Sequence, residues 1–401
     1  MPAEGMKYMK KCGGQKRNSI CDRNMCCGCG ACAQICPKKC ISMVVDQEGF
    51  LYPVIDDKQC VGCGKCSSVC PIINSREITN DVSRIFAAYS LDGGIRMNSS
   101  SGGIFSLLAN VVLDNNGVVF GAAFDSNWLV HHVAVDKSTE LSKLRGSKYL
   151  QSRIENTYAE AEMLLKQGRK VLFSGTGCQI AGLKRFLGKD YAHCYTVDIL
   201  CHGVPSPYVW EKYLSEKKAC AGNEVQNVFF RDKTSGWKTY STRILLEDNK
   251  KYVKKHNKDT YMRLFLKNID LRPSCHNCQF KSVARVSDLT IGDAWGIEKV
   301  MPEFGDDKGT SLVLVHSQKG LDLLKMIYDK VYIKEGEIDI LLPVRSDARK
   351  SVESHINRRL FFKKLQKSNG IECMEKYLNL SISQRARLKI RRFLKNVASR
   401  Y

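Results

Sequence analysis

Two runs of cysteine near the start of the chain have the spacing of ligands to iron–sulfur clusters. One run reads CCGCGACAQICP at residues 26–37, and the other reads CVGCGKCSSVCP at residues 60–71, an offset of 34 residues. Both carry the bacterial ferredoxin pattern, in which two, two and three residues separate the cysteines and proline follows the fourth. Structural zinc sites use paired CxxC motifs instead. The sequence therefore predicts two [4Fe–4S] clusters, whose chemistry is one-electron transfer.

The fourth cysteine of each run is expected to bind the cluster of the other run. Three thiolates on one tight loop reach three irons of a single cube, and in two-cluster ferredoxins the fourth thiolate ligates the second cube. The predicted ligands are Cys26, Cys29, Cys32 and Cys70 for the first cluster, and Cys36, Cys60, Cys63 and Cys66 for the second. Four nearby thiols have no place in this pattern: Cys12, Cys21, Cys27 and Cys40.

The composition narrows the expected compartment and partners. The chain has 401 residues, 19 cysteines and a formal net charge of +22, and its first residues lack the apolar segment of a secretory signal. In a reducing compartment, cysteines are typical of metal or redox sites rather than disulfides. We therefore expect a cytoplasmic protein, whose basic surface favours an acidic redox partner, an anionic substrate or an acidic membrane. Nucleic acid is not expected, because no recognised binding module is present.

The elements that position these groups fall into three predicted regions. Residues 1–75 are predicted to form a small ferredoxin-type domain, with a hairpin turn near Glu48 and Gly49. Residues 84–340 alternate strand and helix patterns, which predicts an α/β domain with a mixed sheet. Residues 345–401 are predicted to be helical and basic, and residues 383–401 to form an amphipathic helix that packs on the protein or contacts a membrane. The fold class is thus α+β or α/β.

Three further segments have the character of ligand sites. NSSSGG at residues 98–103 precedes a predicted helix, an arrangement typical of a phosphate cradle and also of an ordinary helix start. FSGTGCQI at residues 173–180 partly matches a dinucleotide fingerprint, with Asp198 on the next strand, which leaves a nicotinamide site as an alternative. Cys275 and Cys278 form a CxxC that is a metal half-site, a redox pair or two unrelated thiols.

Taken together, the motifs resemble one known family. The two-cluster unit occurs with SSSGG, RGSKYLQS, SGTGCQIAGL, CHGVPSP, CHNCQF, DLTIGDAWG and KGTSLVLV. This combination resembles the coenzyme F-420 hydrogenase/dehydrogenase beta subunit family, from about Cys26 to about Arg359. The resemblance implies a flavin enzyme that binds FAD in the α/β domain beside a [4Fe–4S] cluster. Some relatives exchange electrons with the deazaflavin coenzyme F-420. Gly177 is a departure, because the family loop commonly has proline there.

The resemblance leads to specific predictions for the α/β domain. The predicted flavin-site residues are Ser100, Ser101, Gly102, Gly103, Lys148, Thr176 and Asp293. A third [4Fe–4S] cluster is predicted on Cys178, Cys201, Cys275 and Cys278, with a redox disulfide or structural zinc as alternatives. No catalytic residue is singled out. The predicted function is an iron–sulfur flavoprotein oxidoreductase of unidentified substrate; the alternatives are a non-catalytic electron-transfer subunit, an NAD(P)-linked reductase and an iron–sulfur sensor.

Overall fold

The computed structural model describes residues 20–74, 84–343, 346, 348–368 and 370–379. The predicted amphipathic helix at 383–401 lies outside these residues. The described strands are β1 (Ile41–Val45), β2 (Leu51–Ile55), β3 (Arg84–Ser90), β4 (Val118–Phe124), β5 (Val130–Val135), β6 (Ser152–Arg153), β7 (Val171–Thr176), β8 (Cys194–Ile199), β9 (Val225–Asp232), β10 (Ser241–Leu246), β11 (Lys251–Lys255), β12 (Leu289–Asp293), β13 (Ser311–Val315) and β14 (Val331–Gly336).

The helices connect these strands and cover the sheets. They are α1 (Ala31–Gln34), α2 (Lys65–Ser68), α3 (Gly93–Met97), α4 (Ile104–Leu113), α5 (Thr157–Lys166), α6 (Gly177–Leu187), α7 (Pro207–Ala221), α8 (Thr260–Leu266), α9 (Gln318–Lys325), α10 (Ile338–Leu341) and α11 (Arg358–Leu365). Short 3-10 turns include Pro273–Asn277 and Glu372–Leu378. None of the helices in the described segments combines the length and the apolar character that a bilayer crossing requires.

A large mixed sheet lies at the centre of the described chain, as the alternating pattern predicted. Its nine strands follow the order β14-β3-β13-β12-β8-β7-β4-β5-β6. Strands β12, β8, β7 and β4 run parallel to one another, while β13, β3 and β14 pair in antiparallel fashion. Parallel neighbours need long crossovers, and the segment from β7 through α6 to β8 is one of them. The carboxyl ends of four parallel strands therefore meet at one edge.

A second sheet stands apart from the first. Strands β9, β10 and β11 form a three-stranded antiparallel sheet, which the sequence pattern did not separate from the main one. Its apolar face packs on α7 and α8 through Phe230, Trp210, Tyr213 and Tyr261, all of which are buried. These aromatic side chains bury a large apolar area in one cluster, so the small sheet forms a rigid wall beside the main sheet.

The ferredoxin-like unit shares its cores with the rest of the protein. Strands β1 and β2 form the predicted hairpin, and α1 and α2 occupy equivalent places in the two cysteine motifs. Ala31 and Val69 are buried in the cluster that lies under α5 and α6. Phe50 and Tyr52 join the core of the three-stranded sheet. The inner face of the unit is therefore held by apolar packing against the larger body.

One buried guanidinium joins the unit to the α/β body. Arg272 is 1% exposed. It donates from Nε to the carbonyl of Cys26 (2.8 Å), from Nη2 to that of Leu51 (2.9 Å) and from Nη1 to Oε1 of Gln151 (3.3 Å). A second connection lies at the hairpin turn, where Arg358 on α11 pairs with Glu48. These contacts fix the first cysteine motif and the turn end of the hairpin on the larger body.

Replacing Arg272 with methionine should destabilise the protein substantially. The change leaves three buried acceptors without their donor, and we expect the free energy of unfolding to fall by about 2–4 kcal/mol. Thermal unfolding of the anaerobic protein measures the effect. Arg84→Met is the matched control, because Arg84 pairs with Glu335 at the surface and surface pairs contribute little. Equal shifts in the melting temperature for both variants would contradict this role.

Candidate iron–sulfur and cofactor site

The thiols predicted for the first cluster converge on one small apolar cavity. Its lining includes Cys26, Cys29, Cys32 and Cys70, and these four side chains are buried. The side chain of Cys21 hydrogen-bonds both Cys26 and Cys70, which lowers the pKa of Cys26 to about 6 and that of Cys70 to about 7. Cys36, although only four residues after Cys32, does not line this cavity. This is the placement that an exchange of the fourth ligand between motifs requires.

The thiols predicted for the second cluster lie nearer the surface. Cys60 and Cys63 are exposed, and Cys36 and Cys66 are half-buried. Cys40 lies between the two motifs, with its Sγ 3.4 Å from that of Cys36. Hydrogen bonds from Cys36, together with burial and the nearby Cys60, raise the pKa of Cys40 to about 12. Cys36 and Cys60 therefore share Cys40 as a neighbour.

Neither thiol group is arranged around a single ion. Among the described side chains, no three His, Cys, Asp or Glu residues converge closely enough to hold one metal ion. A four-iron cluster is larger than an ion, and its four ligands stand correspondingly further apart. The individual ligand assignments stay predictions, and they rest on the spacing of the cysteines in the two motifs.

A cavity of about 630 Å³ opens beside the carboxyl ends of β7, β8 and β12. Ligands of open α/β sheets bind at this edge. The predicted flavin residues that line it are Ser100, Ser101, Gly103, Lys148, Thr176 and Asp293. Gly102 does not line the cavity, because it packs against β3 and β13. A β-carbon there would meet the carbonyl of Ala88 and the amide of Ser311, so this position admits only glycine.

The serine loop before α4 is held in one conformation by surrounding polar groups. Ser100 Oγ accepts from the amide of Ser147 at 2.7 Å, and Ser101 Oγ donates to the carbonyl of Thr310 at 2.7 Å. Lys233 Nζ donates to the carbonyl of Ser101 at 3.0 Å. Gly103, the N-cap of α4, supplies no side-chain acceptor, and the first turn of α4 lines the cavity. Backbone N–H groups at this helix start are thus available to an anion.

Lys148 places a positive charge in the cavity wall. It is half-buried, and desolvation lowers its pKa to about 7. Its Nζ donates to the carbonyls of Arg145 (2.9 Å) and Gly146 (3.2 Å), and no carboxylate in the described part of the chain pairs with it. An ammonium with only carbonyl partners is stabilised by a bound anion.

Two further cavity groups had no signal in the sequence. His132 is buried, which lowers its pKa to about 4, so the ring is neutral. Its Nε2 donates to the carbonyl of Ser174 at 3.0 Å, and Ser152 Oγ donates to Nδ1 at 2.7 Å. Arg231 approaches from β9 and makes a two-point ion pair with Asp293 (2.9 and 3.1 Å). Asp293, predicted as a flavin residue, therefore holds Arg231 at the cavity wall.

The four thiols predicted for a third cluster lie within electrostatic range of one another. Cys178 begins α6 after β7, and Cys201 follows the adjacent strand β8. Burial raises the pKa of Cys201 to about 12, with further increases from Cys178 and Cys278. Burial likewise raises the pKa of Cys275, and Cys201 and Cys278 add to it. Cys27, which the motif pattern left without a role, hydrogen-bonds Cys178 and lines the large cavity.

The structure does not favour the nicotinamide alternative. Asp198, the acid that would bind a ribose, is 1% exposed. One carboxylate oxygen accepts from Arg285 Nη1 at 3.0 Å and the other from Thr290, so both are engaged inside the protein. Gly177 packs against this pair, and a β-carbon there would lie 3.0 Å from Asp198 and 3.1 Å from Arg285. Glycine in place of the family's proline thus leaves room for the ion pair.

Comparisons with known protein families match two separate segments of the chain. Residues 168–340 match the family described as the C terminus of the coenzyme F-420 hydrogenase/dehydrogenase beta subunit, and residues 25–72 match the 4Fe-4S dicluster domain. Among solved structures, a chain of the F-420-reducing NiFe hydrogenase complex from Methanosarcina barkeri is similar. It shares 18% identity over 73% of this chain and 92% of its own length, with a TM-score of 0.44. No curated protein matches the chain.

Serine substitutions should separate ligands from neighbouring thiols in the first cluster. Cys70→Ser removes a predicted ligand and should abolish the signal of one cluster, with a loss of up to about four irons. Cys21→Ser removes a thiol that contacts Cys26 and Cys70 but has no place in the motif, so iron should be retained. Iron analysis and EPR of the anaerobic protein measure both. The reverse result would assign Cys21 as the ligand instead.

Proposed function

Since residues 168–340 match the C-terminal model of the coenzyme F-420 hydrogenase/dehydrogenase beta subunit and residues 25–72 match a 4Fe-4S dicluster domain, we propose that the chain is an iron–sulfur flavoprotein oxidoreductase of that family. The cysteines would hold [4Fe–4S] clusters, which supply one-electron transfer, and the residues of the large cavity would hold a flavin that exchanges electrons with them in either direction. The substrate exchanges two electrons at that cavity. The single observation that best supports this function is that thiols from the first motif and from the third group line the same cavity. Cys27 and Gly28 of the first motif line the cavity together with Cys178 and Cys201.

The residues around the cavity fit a flavin dinucleotide. Its volume of about 630 Å³ lies within the usual range for ligand pockets. The first turn of α4 and the serine loop would hold the phosphates, with Lys148 supplying positive charge. Arg231, fixed by Asp293 and hydrogen-bonded to the carbonyl of Ser100, would supply charge beside the serine loop. A bound flavin converts between one-electron and two-electron transfer. The protein's part is to orient the group, exclude water and keep His132 as a neutral donor to Ser174.

The third thiol group supports a relay between the ferredoxin-like unit and the cavity. Cys178, Cys201, Cys275 and Cys278 are partly or largely buried, and each ionised thiolate raises the pKa of its neighbours. Four buried thiolates repel one another unless a positive core neutralises them. A [4Fe–4S] core supplies that charge, and so does zinc. A cluster is favoured here because Cys201 and Cys178 also line the cavity, where electron transfer is useful.

Iron content should distinguish these alternatives for the third site. Cys275→Ser and Cys278→Ser should each lose up to about four irons, while the N-terminal cluster signals in EPR stay intact. Cys220→Ser, an exposed thiol on α7, is the matched control and should lose none. Unchanged iron in both variants, or zinc recovered in place of iron, would refute the third cluster without touching the first two.

Flavin binding tests the proposed function directly. The anaerobically purified full chain should bind FAD, and reduction of its clusters should reduce the flavin. Binding of an anion requires protonated Lys148, whose pKa in the free protein is about 7. Affinity should therefore fall as the pH rises above about 7, by up to about tenfold per unit until the pKa of the complex is reached. Lys148→Met should bind FAD more weakly with a flat pH profile.

Lys143→Met is the control for this series, because Lys143 lies in the same segment but pairs with Glu140 at the surface. It should bind FAD as the unsubstituted protein does, with the same pH dependence. A chain that carries its clusters but binds no FAD would overturn the flavin assignment. An unchanged pH profile in Lys148→Met would overturn only the role of Lys148.

A further inference from the structure

The two predicted clusters of the ferredoxin-like unit lie in opposite environments. The ligands of the first are all buried, and the thiols of Cys60 and Cys63 in the second are exposed. Around the second motif the backbone itself is open, because a β-carbon added at Gly62 or Gly64 would meet no atom within 4 Å. Electron transfer between proteins requires the two redox centres to approach closely. The second cluster is therefore where a protein partner can come near.

On the same face, exposed lysines outnumber exposed carboxylates: Lys38, Lys39, Lys58 and Lys65 stand against Asp56 and Asp57. Exposed lysines stand within two residues of the second cluster's predicted ligands: Lys38 follows Cys36, Lys58 precedes Cys60, and Lys65 lies between Cys63 and Cys66. In contrast, residues 24–34 and 68–72, which surround the ligands of the first cluster, contain no charged side chain. No ion pair within the described segments engages the three lysines. Their charge is thus directed at solvent or at a partner.

An exposed apolar side chain lies beside the same predicted ligands. Val61, between Cys60 and Gly62, is 61% exposed. An apolar centre with a charged rim is the usual layout of a protein interface, and redox complexes typically bury small areas. A single exposed valine costs little in the free protein and gives a partner direct contact beside the ligands. The surface formed by Lys38, Lys58, Val61 and Lys65 is called the lysine face below.

We propose that the lysine face docks a small acidic iron–sulfur carrier protein. The carrier's reduced centre is oxidised by one electron and the second cluster is reduced by one electron, with no bond or proton transferred. Docking itself needs only the two N-terminal clusters. The proposal rests on the proposed function and adds the route by which electrons reach the chain. Opposite charges would steer the encounter and make its rate depend on salt.

The test measures the rate at which reduced acidic ferredoxin reduces the clusters of the full chain in an anaerobic stopped-flow experiment. In the variant Lys38→Glu/Lys58→Glu/Lys65→Glu the second-order rate constant should fall at least about tenfold, and its salt dependence should weaken or reverse. In the milder Lys38→Gln/Lys58→Gln/Lys65→Gln variant, the second-order rate constant should lie between those of the glutamate variant and the unsubstituted chain. The control Lys137→Glu/Lys251→Glu/Lys330→Glu carries the same change in net charge on exposed lysines elsewhere and should stay within about twofold of the unsubstituted rate.

Reduced methyl viologen, a small cation that needs no docking face, should reduce every variant at least as fast as the unsubstituted chain. An unchanged ferredoxin rate in both lysine-face variants, or an equal loss in the control, overturns the proposal. Loss of binding to anionic vesicles without loss of the ferredoxin rate would assign the face to a membrane instead. Because this test measures cluster reduction, its result does not depend on whether the chain binds flavin. Flavin binding is measured in the separate FAD experiment.

Discussion

The ferredoxin-like unit is positioned by a buried guanidinium that has no carboxylate partner. Arg272 contacts the carbonyl of Cys26, the carbonyl of Leu51 and the amide of Gln151, and no acidic side chain pairs with it in the described part of the chain. A buried charge needs compensation. Four thiolates around a [4Fe–4S] core of about 2+ leave a net charge of about −2, and Cys26 is a predicted ligand. The first cluster would therefore neutralise the same side chain that holds its loop in place.

The position of Arg272 also determines where the neighbouring cysteine segments lie. Because Arg272 precedes the 3-10 turn that carries Cys275, the hydrogen bonds that fix the first motif also fix the CxxC beside the cavity. Cys27 hydrogen-bonds both Cys29, a predicted ligand of the first cluster, and Cys178. The serine loop and Lys148 lie on the remaining walls of the same cavity. On the proposed function, the solvent-facing second cluster and the cavity are the two ends of one path.

The sequence predicts some of this arrangement from local rules. Cysteine spacing predicts the two motifs, and the hairpin between them follows from alternating residues around Glu48 and Gly49. The positions of Cys178 and Cys201 follow from adjacent parallel strands. Other contacts join residues that are distant in sequence. Arg272 reaches Cys26 across 246 positions, and Arg231 reaches Asp293 from a separate sheet. No local pattern marks such residues, so Arg272, His132 and Arg231 emerge only when the chain is folded. The contact between Cys27 and Cys178 was missed for a related reason. The motif spacing identifies the ligands, but it does not predict where the neighbouring thiol lies.

The central claim is that electrons which enter at the exposed cluster reach the cavity through the buried thiols. Reduced ferredoxin is too large to enter the cavity, so it tests this path when mixed with the FAD-loaded chain in a stopped-flow spectrometer. The account predicts that flavin reduction follows cluster reduction, and that Cys60→Ser/Cys63→Ser, which lacks the exposed cluster, reduces its flavin far more slowly. Flavin reduction at the same rate in that variant would contradict it.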